Sequence, residues 1–280
     1  MASWSTARIV MGLGVGAGCG LKFFMTRSSA DAEDFREGPN YLDNLRECPY
    51  LHWDWNWDRR ATLKKPKAGQ VIPEIDEKQY SAHSRHIICV TSGLCFKLEG
   101  SPICGLQKEG RYQVINLTLT LMGLGQHFRN IYYSQIKQDQ ETAQMIFEGM
   151  KKHQPHNPPT LIKEEMLEEG PTVVPIPLTS SGLPNRANLF IEQCKIEAGF
   201  RKLFHRLDKS DTEDVFDIIV AQPDVIKYFI CRALQLPEAL SRFHLNWASI
   251  TMFTISGNGV VQAFSIGDSG FQPPNLLKAK

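Results

Sequence analysis

The sequence predicts an α/β fold, in which a sheet is covered by helices on both faces, behind an N-terminal transmembrane helix. Short apolar runs typical of buried strands alternate with segments whose apolar residues repeat at helical spacing, and this alternation predicts the α/β fold. An uncharged, glycine-rich stretch near the N terminus predicts the membrane helix. The expected divisions are a membrane anchor at 1–27, a linker at 28–82 with a tryptophan-rich motif at 53–60, and a globular domain at 83–280.

The membrane prediction rests on residues 9–21, which carry no charge. A bilayer span takes roughly 20 residues, so this stretch is long enough only if 23–25 extend it while the Lys22 ammonium reaches the interface. Glycines at every second position over 12–20 would let two such helices approach closely. A cleaved targeting peptide is an alternative, whereas a dinucleotide-binding loop is disfavoured because no strand precedes the glycines. Basic residues flank both ends, so they leave the topology open.

Composition excludes several classes of function. A formal net charge of +1 argues against broad electrostatic binding to nucleic acid, so we expect no nucleic-acid partner. The seven cysteines are scattered, odd in number and without a C-x-x-C pair, which argues against structural zinc and against a disulfide framework. The sequence therefore predicts neither a metal nor a cofactor, and cysteines that are buried small side chains in a reducing compartment.

Three tryptophans fall within five residues in the motif WDWNWDRR at 53–60. The flanking segments 28–50 and 61–82 are polar, so the motif has no expected core beside it. Aromatic rings among Asp and Arg suit an interface, where the rings fill a pocket and the charges pair at its rim. We therefore interpret the motif as a docking site rather than as part of the core. Its candidate residues are Trp53, Asp54, Asn56, Trp57, Asp58 and Arg59.

Periodicity places the elements of the globular domain. Strands are expected at 86–90, 131–134, 216–221, 249–255 and 260–266, and helices at 110–125, 138–152, 189–207 and 225–234. The last two strands form a hairpin around Gly257-Asn258-Gly259. The stretch 155–188 is rich in Pro and Gly, and predicts a long irregular insertion.

Active sites in such sheets lie where strands end and helices begin, so the loops at 91–94, 134–138 and 222–224 are the candidate site. A site for phosphoryl transfer or hydrolysis would place His, Arg, Lys or a glycine-rich backbone in these loops. They hold Thr-Ser-Gly-Leu, Ser-Gln-Ile-Lys-Gln and Gln-Pro-Asp instead. These residues are largely uncharged and are poor at holding a phosphate dianion.

Five stretches carry a family resemblance: WDWNWDRR (53–60), RHIICV (85–90), DVIKYFICRALQLP (224–237), LNWASIT (245–251) and GDSGFQPP (267–274). With them the chain resembles the mitochondrial phosphoglycerate-mutase-like serine/threonine phosphatases (phosphoglycerate mutase family member five), a branch of the histidine phosphatase superfamily. The resemblance runs from about Trp53 to Pro274. It implies a three-layer α/β sandwich with a central mixed sheet, and protein serine/threonine phosphatase activity for members with an intact site.

The resemblance also implies which residues would form the phosphate pocket. Family members use a nucleophilic His preceded by an Arg, and these positions correspond to Ser92 and Thr91. The second Arg corresponds to Gln138 and the second His to Gln222, while Glu169 is kept as a remnant general acid. Loss of a nucleophile costs several orders of magnitude in rate, and loss of one charge-stabilising donor costs roughly 10²–10³. The resemblance thus implies a degraded pocket with no intact catalytic set.

The leading hypothesis is a membrane-anchored mitochondrial pseudophosphatase, at the outer rather than the inner membrane, that acts as an oligomeric scaffold or regulator. In the family the tryptophan motif mediates assembly, so its retention implies a homo-oligomer or a hetero-oligomer with an active paralogue. Trp55 replaces a Pro that the family usually has, which leaves the oligomer size open. Phosphoproteins or kinases are further expected partners.

Two other hypotheses come from different classes. The first is a weakly active or repurposed phosphatase that uses Glu169 together with Lys137 or Ser92. Lys137 lies beside the missing Arg and would bind phosphate as a point charge. The second is a sensing module whose neutral pocket binds an uncharged metabolite.

Overall fold

A computed structural model describes residues 53–54, 56–61, 80–97, 104–168 and 186–277. The predicted anchor at 1–27, most of the predicted linker and Glu169 lie outside these residues. The division of the chain at 27 and 82 therefore stays a prediction. Among the helices of the described part, none is both long enough and apolar enough to cross a membrane.

Six strands form a mixed sheet, and two more form a short hairpin beside it. In chain order the strands are β1 (Arg85–Thr91), β2 (Cys95–Lys97), β3 (Cys104–Leu106), β4 (Phe128–Tyr133), β5 (Thr160–Lys163), β6 (Val215–Ala221), β7 (Ile250–Ile255) and β8 (Val261–Asp268). The sheet order is β5-β4-β6-β1-β7-β8, and β2 pairs with β3 in the separate hairpin. Strands β5, β4, β6 and β1 run parallel to one another. Strand β7 pairs antiparallel with β1, and β8 pairs antiparallel with β7. All residues of β1 and β6 are buried, which explains their continuous apolar runs.

Helices cover both faces of the sheet. They are α1 (Lys108–Gly123), α2 (Lys137–His153), α3 (Arg186–Leu203) and α4 (Pro223–Ala233). Successive side chains of a strand point to opposite faces. Accordingly Ile88 and Val90 of β1 pack in one apolar cluster with residues of α1 and α2. Ile87 and Cys89 pack in a second cluster with residues of α3 and α4. The predicted three-layer arrangement around a mixed sheet is confirmed.

The predicted strands and helices are also confirmed, with ends that shift by a few residues. The prediction of an irregular insertion at 155–188 is wrong in its first part. There, β5 adds a parallel edge strand to β4, and a 3₁₀ turn follows at Glu165–Leu167. None of the four residues of β5 is fully buried, so the strand lacks the continuous buried apolar run that marks β1 and β6 in the sequence. Its pairing with β4 defines it as a strand.

The tryptophan motif packs against its own domain, so the expectation that it lacks a core is wrong for Trp57. That side chain is 2% exposed and belongs to the apolar cluster under α3 and α4. Its Nε1 donates a hydrogen bond to the carbonyl of Gly259 at 2.9 Å, and its ring lies 5.8 Å from the ring of Phe200. Its partners are far away in sequence, so no local pattern could have revealed the contact.

A buried ion pair fastens the same motif. The side chains of Asp58 and Arg206 are 1% and 3% exposed. The Arg206 guanidinium donates to both carboxylate oxygens, at 2.8 Å from Nη2 to Oδ1 and at 2.9 Å from Nε to Oδ2. Burial alone would raise the pKa of Asp58, but the hydrogen bonds and charge of Arg206 outweigh it and hold that pKa below its ordinary value. The pair is therefore ionised at neutral pH.

The outer part of the motif faces solvent. The backbone N–H of Asp54 donates to Oε1 of Gln235 at 2.8 Å, and Nε2 of Gln235 donates back to the Asp54 carbonyl at 3.1 Å. The carboxylate of Asp54 and the guanidinium of Arg59 are exposed and lie 3.5 Å apart. The motif thus has a buried half and an exposed half, and its role in assembly stays a prediction.

We expect Trp57→Ala to lower the free energy of unfolding by about 3–5 kcal/mol, because it removes a buried indole from a packed cluster. Chemical denaturation of the full chain measures the change. Arg59→Ala is the matched control on the same segment, and its exposed ion pair should contribute no more than about 1 kcal/mol. Equal unfolding midpoints for the two variants would contradict the packing role of Trp57.

We expect Asp58→Asn to cost about 3–5 kcal/mol at neutral pH, because it leaves a buried guanidinium without its counter-charge. The folded pKa of Asp58 is lowered, so its contribution is present above the unfolded pKa of about 3.9 and is lost as the pH falls through the lower folded value. Denaturation between pH 7 and pH 3 measures the difference in the free energy of unfolding between wild type and variant. That difference should narrow only at the acid end. Asp54→Asn, at the exposed pair, should have nearly the wild-type free energy of unfolding at every pH.

Candidate functional site

The parallel strands bring the predicted loops to one edge of the sheet. Thr91, the last residue of β1, pairs with Ala221, the last residue of β6. Ser92 and Gln222 are the next residues, so they lie level with each other at the carboxyl edge. The strand beside β6 is β4, and Ser134 at its end donates its N–H to the carbonyl of Val220 at 3.3 Å. The first turn of α2 then returns over these strand ends.

A buried hydrogen-bonded network joins the first turn of α2 to the end of β6. The Gln138 amide donates from Nε2 to Oε1 of Gln222 at 2.8 Å. The Gln222 amide donates from Nε2 to Oδ1 of Asp139 at 2.6 Å, and Ser134 Oγ donates to Oδ2 of the same carboxylate at 2.5 Å. All four side chains are buried, with Gln138 the most exposed at 5%. The predicted pocket positions 138 and 222 therefore bind each other directly.

Thr91 makes its contacts toward β7. Its Oγ1 donates to the carbonyl of Asn246 at 2.7 Å and accepts from the backbone N–H of Ser249 at 2.8 Å. The Ser249 hydroxyl lies 3.2 Å from the same oxygen. These bonds fix the turn that leads into β7, so the Thr91 hydroxyl has a structural role.

Ser92 is fully buried, and its hydroxyl has no hydrogen-bond partner among the described residues. Its backbone carbonyl accepts from the N–H of Ala248 at 2.9 Å. The next residue, Gly93, lies so close to α1 that an added Cβ would be 2.6 Å from the carbonyl oxygen of Gly110. The backbone therefore fixes the position of Ser92, while no described base is hydrogen-bonded to its Oγ. A serine nucleophile needs such a base.

Lys137 makes its charge contact at the surface. Its side chain is 53% exposed, and its ammonium lies 3.7 Å from Oε1 of Glu141, one turn later on α2. Arg111 of α1 approaches the other oxygen of the same carboxylate at 3.2 Å. Glu141 thus neutralises part of the positive charge beside the first turn of α2.

Other chemistries have little support in the described part of the chain. Burial raises the pKa of the Cys89 thiol far above its ordinary value, so this cysteine is not a nucleophile. No group of three or more His, Cys, Asp or Glu side chains that could hold a metal ion occurs in the described residues. The remnant acid Glu169 lies outside the described residues, so its place relative to this edge is untested.

Sequence reasoning missed Asp139. It accepts hydrogen bonds from two members of the site, yet it corresponds to none of the positions that the resemblance singled out. A usable signal was present, because Asp139 lies beside Gln138 in the first turn of a helix that begins at the carboxyl edge of the sheet. Both residues of such a turn are close enough to contact the strand ends.

A scan of protein-family models finds no match to this chain. Curated relatives are nevertheless similar over most of its length. The human mitochondrial serine/threonine-protein phosphatase PGAM5 is 32% identical over 267 residues, which cover 90% of this chain and 88% of the relative. The mitochondrial serine/threonine-protein phosphatase Pgam5 of Caenorhabditis elegans is 36% identical and covers 91% and 88%. That of Drosophila persimilis is 34% identical and covers 82% and 81%.

Solved structures are similar in fold. YhfR of Bacillus stearothermophilus is 18% identical, has a TM-score of 0.50, and covers 67% of this chain and 100% of its own. A phosphoglycerate mutase of Plasmodium falciparum is 24% identical, has a TM-score of 0.45, and covers 66% and 91%. The likeness to YhfR supports the fold alone, and the family follows from the curated relatives. With a mixed-sheet α/β histidine-phosphatase fold and at least 32% identity to these three relatives, the chain belongs to the family of the mitochondrial serine/threonine-protein phosphatase Pgam5.

Proposed function

We propose that this chain is a mitochondrial pseudophosphatase, anchored in a membrane, that acts as an oligomeric scaffold or regulator. The observation that carries the proposal is the buried network of Gln138, Gln222 and Asp139 at the strand ends. Phosphoryl transfer requires positive charge around the transferring group, because negative charge is spread over its oxygens. The network places two neutral amides and a carboxylate there. It therefore supports loss of phosphate binding.

The missing nucleophile supports the same proposal. By the family resemblance Ser92 corresponds to the nucleophilic His, and its hydroxyl is buried with no described base bonded to it. A serine hydroxyl without a base is a weak nucleophile at neutral pH. Chemistry at phosphorus would need both a stronger nucleophile and a cationic pocket, and the described residues supply neither at this edge.

Other observations support the proposed location and assembly. The curated relatives are named mitochondrial, which supports a mitochondrial location for this chain. The uncharged stretch at 9–21 supports a membrane anchor. We propose that this anchor lies in the outer rather than the inner membrane. The exposed Asp54 and Arg59 offer charges to a second copy or to an active paralogue. Phosphoproteins and kinases are the further partners that a phosphatase relative would meet.

A weakly active or repurposed phosphatase is the competing function. It would use Glu169 as the acid and either Lys137 or Ser92 in the pocket. The names of the relatives favour it, since all three are called phosphatases. The contact of Lys137 with Glu141 and the burial of Ser92 disfavour it.

We expect the purified full chain to release no phosphate from phosphoserine or phosphothreonine peptides above the background of the Ser92→Ala variant. The human relative, assayed alongside, is the positive control for the peptides. Colorimetric detection of released phosphate is the measurement. Turnover that disappears in Ser92→Ala or in Glu169→Ala would refute the pseudophosphatase and establish the competing function.

The two adjacent hydroxyls at the end of β1 should differ in their contribution to stability. Thr91→Val removes a hydroxyl with bonded partners, and should cost about 1–3 kcal/mol in the free energy of unfolding. Ser92→Ala removes a buried hydroxyl without a described partner, and should change stability by less than about 0.5 kcal/mol or increase it. Chemical denaturation measures both. A loss in Ser92→Ala as large as that in Thr91→Val would show that Ser92 makes a bond of its own.

A further inference from the structure

We infer that Asp139 is the side chain that keeps anions out of this site, and that it would do so even if the four substituted positions regained their His and Arg residues. The inference rests on the proposed function and deepens it. It makes Asp139 a specificity-determining residue, in addition to the substitutions at Thr91, Ser92, Gln138 and Gln222. Loss of phosphate binding would then have two separable causes, which are missing cations and an added carboxylate.

The geometry places the carboxylate inside the site. Asp139 is fully buried, and its two oxygens accept hydrogen bonds from different elements. Oδ1 accepts from the Gln222 amide at 2.6 Å, and Oδ2 accepts from the Ser134 hydroxyl at 2.5 Å. Hydrogen bonds donated to both oxygens favour the ionised form of a carboxylate.

The position on the helix strengthens this assignment. Asp139 lies in the first turn of α2, whose N terminus carries positive partial charge from its unpaired backbone N–H groups. That partial charge would otherwise favour a bound anion at the strand ends. A carboxylate in the first turn already interacts with this partial charge. The helix N terminus therefore attracts an external phosphate less strongly.

Repulsion is strong at such a place. A phosphate at the strand ends would lie near the amides of Gln138 and Gln222, and the second amide is in direct contact with Asp139. Charges that are buried together interact far more strongly than charges in water, and dissolved salt screens them less. Two anions in one buried site therefore disfavour each other.

The same proximity explains why restored cations would not suffice. An imidazolium at position 222 would begin within reach of the Asp139 carboxylate, because the Gln222 amide contacts that carboxylate directly. It would form a charge-assisted hydrogen bond there, and its charge would be partly neutralised before any phosphate arrived. The pocket would hold one negative charge more than the four restored positions alone imply.

The test compares two full-length chains. Both carry Thr91→Arg, Ser92→His, Gln138→Arg and Gln222→His, and one of them also carries Asp139→Ala. Binding of inorganic phosphate is measured by isothermal titration calorimetry at neutral pH. We expect phosphate to bind at least about tenfold more tightly to the chain with Asp139→Ala, the effect of a like charge a few ångströms away. Asp139→Ala alone, in the otherwise native chain, is the matched control and should bind none.

Equal phosphate affinity in the two restored chains would overturn the inference, and so would absence of binding to both when both are folded. If the restored chains do not fold, the single change Gln222→His is made with and without Asp139→Asn. A ligand that binds the folded state raises the unfolding midpoint, so phosphate should raise it only in the chain that has lost the carboxylate. An equal shift in both, or a shift in neither, would also overturn the inference.

These outcomes are distinct from failure of the proposed function. Turnover or phosphate binding by the native chain would refute the pseudophosphatase, whatever the restored chains do. Equal phosphate affinity of the two restored chains would refute the inference alone. The native chain would then be inactive because it lacks the cations.

Discussion

Parallel pairing of β1 with β6 positions the rest of the molecule, because both strands are buried along their whole length and end at the same level. Their alternating side chains form the two apolar clusters that receive the helices. Their carboxyl ends place Ser92 beside Gln222 without any help from the side chains themselves. A slip of one strand by one residue would turn each of its side chains to the opposite face of the sheet, and so into the wrong one of the two clusters. The layers and the site therefore depend on the same pairing.

The residues at the carboxyl edge of the sheet are polar although they are buried. Buried polar groups are costly unless they are hydrogen-bonded. The Gln138 amide donates to Gln222, and the Gln222 amide donates to Asp139. The Thr91 hydroxyl is likewise hydrogen-bonded, to the carbonyl of Asn246. Ser92 is the exception, because its buried hydroxyl has no described partner. The site is thus part of the buried interior, and the Ser92 hydroxyl is the one of these polar groups without a described partner.

Sequence patterns predicted the elements that bury long apolar runs, as in β1 and β6, since periodicity reports burial directly. They missed β5, because a short edge strand with no buried residue is defined by its neighbour. They also missed the packing of Trp57, whose acceptor Gly259 is distant in the chain. Correspondence with a family located positions 138 and 222, but a list of expected catalytic residues cannot reveal an added one. Asp139 emerged only when the hydrogen bonds were known.

Two buried carboxylates lie in different parts of this fold and have different partners. Asp58 is paired with the Arg206 guanidinium far from the strand ends, and there it holds the tryptophan motif to the domain. Asp139 is bonded to a neutral amide and a hydroxyl at the strand ends, where a phosphatase of this fold needs positive charge. Cations clustered around an empty pocket repel one another, so a functional phosphate site lowers the stability of the fold when no ligand is bound. Replacing those cations by bonded amides relieves that repulsion, and the paired strands beneath do not depend on it. The fold can therefore persist without such cations, and in the proposed pseudophosphatase the carboxylate at position 139 distinguishes a site that merely lacks cations from one that repels anions.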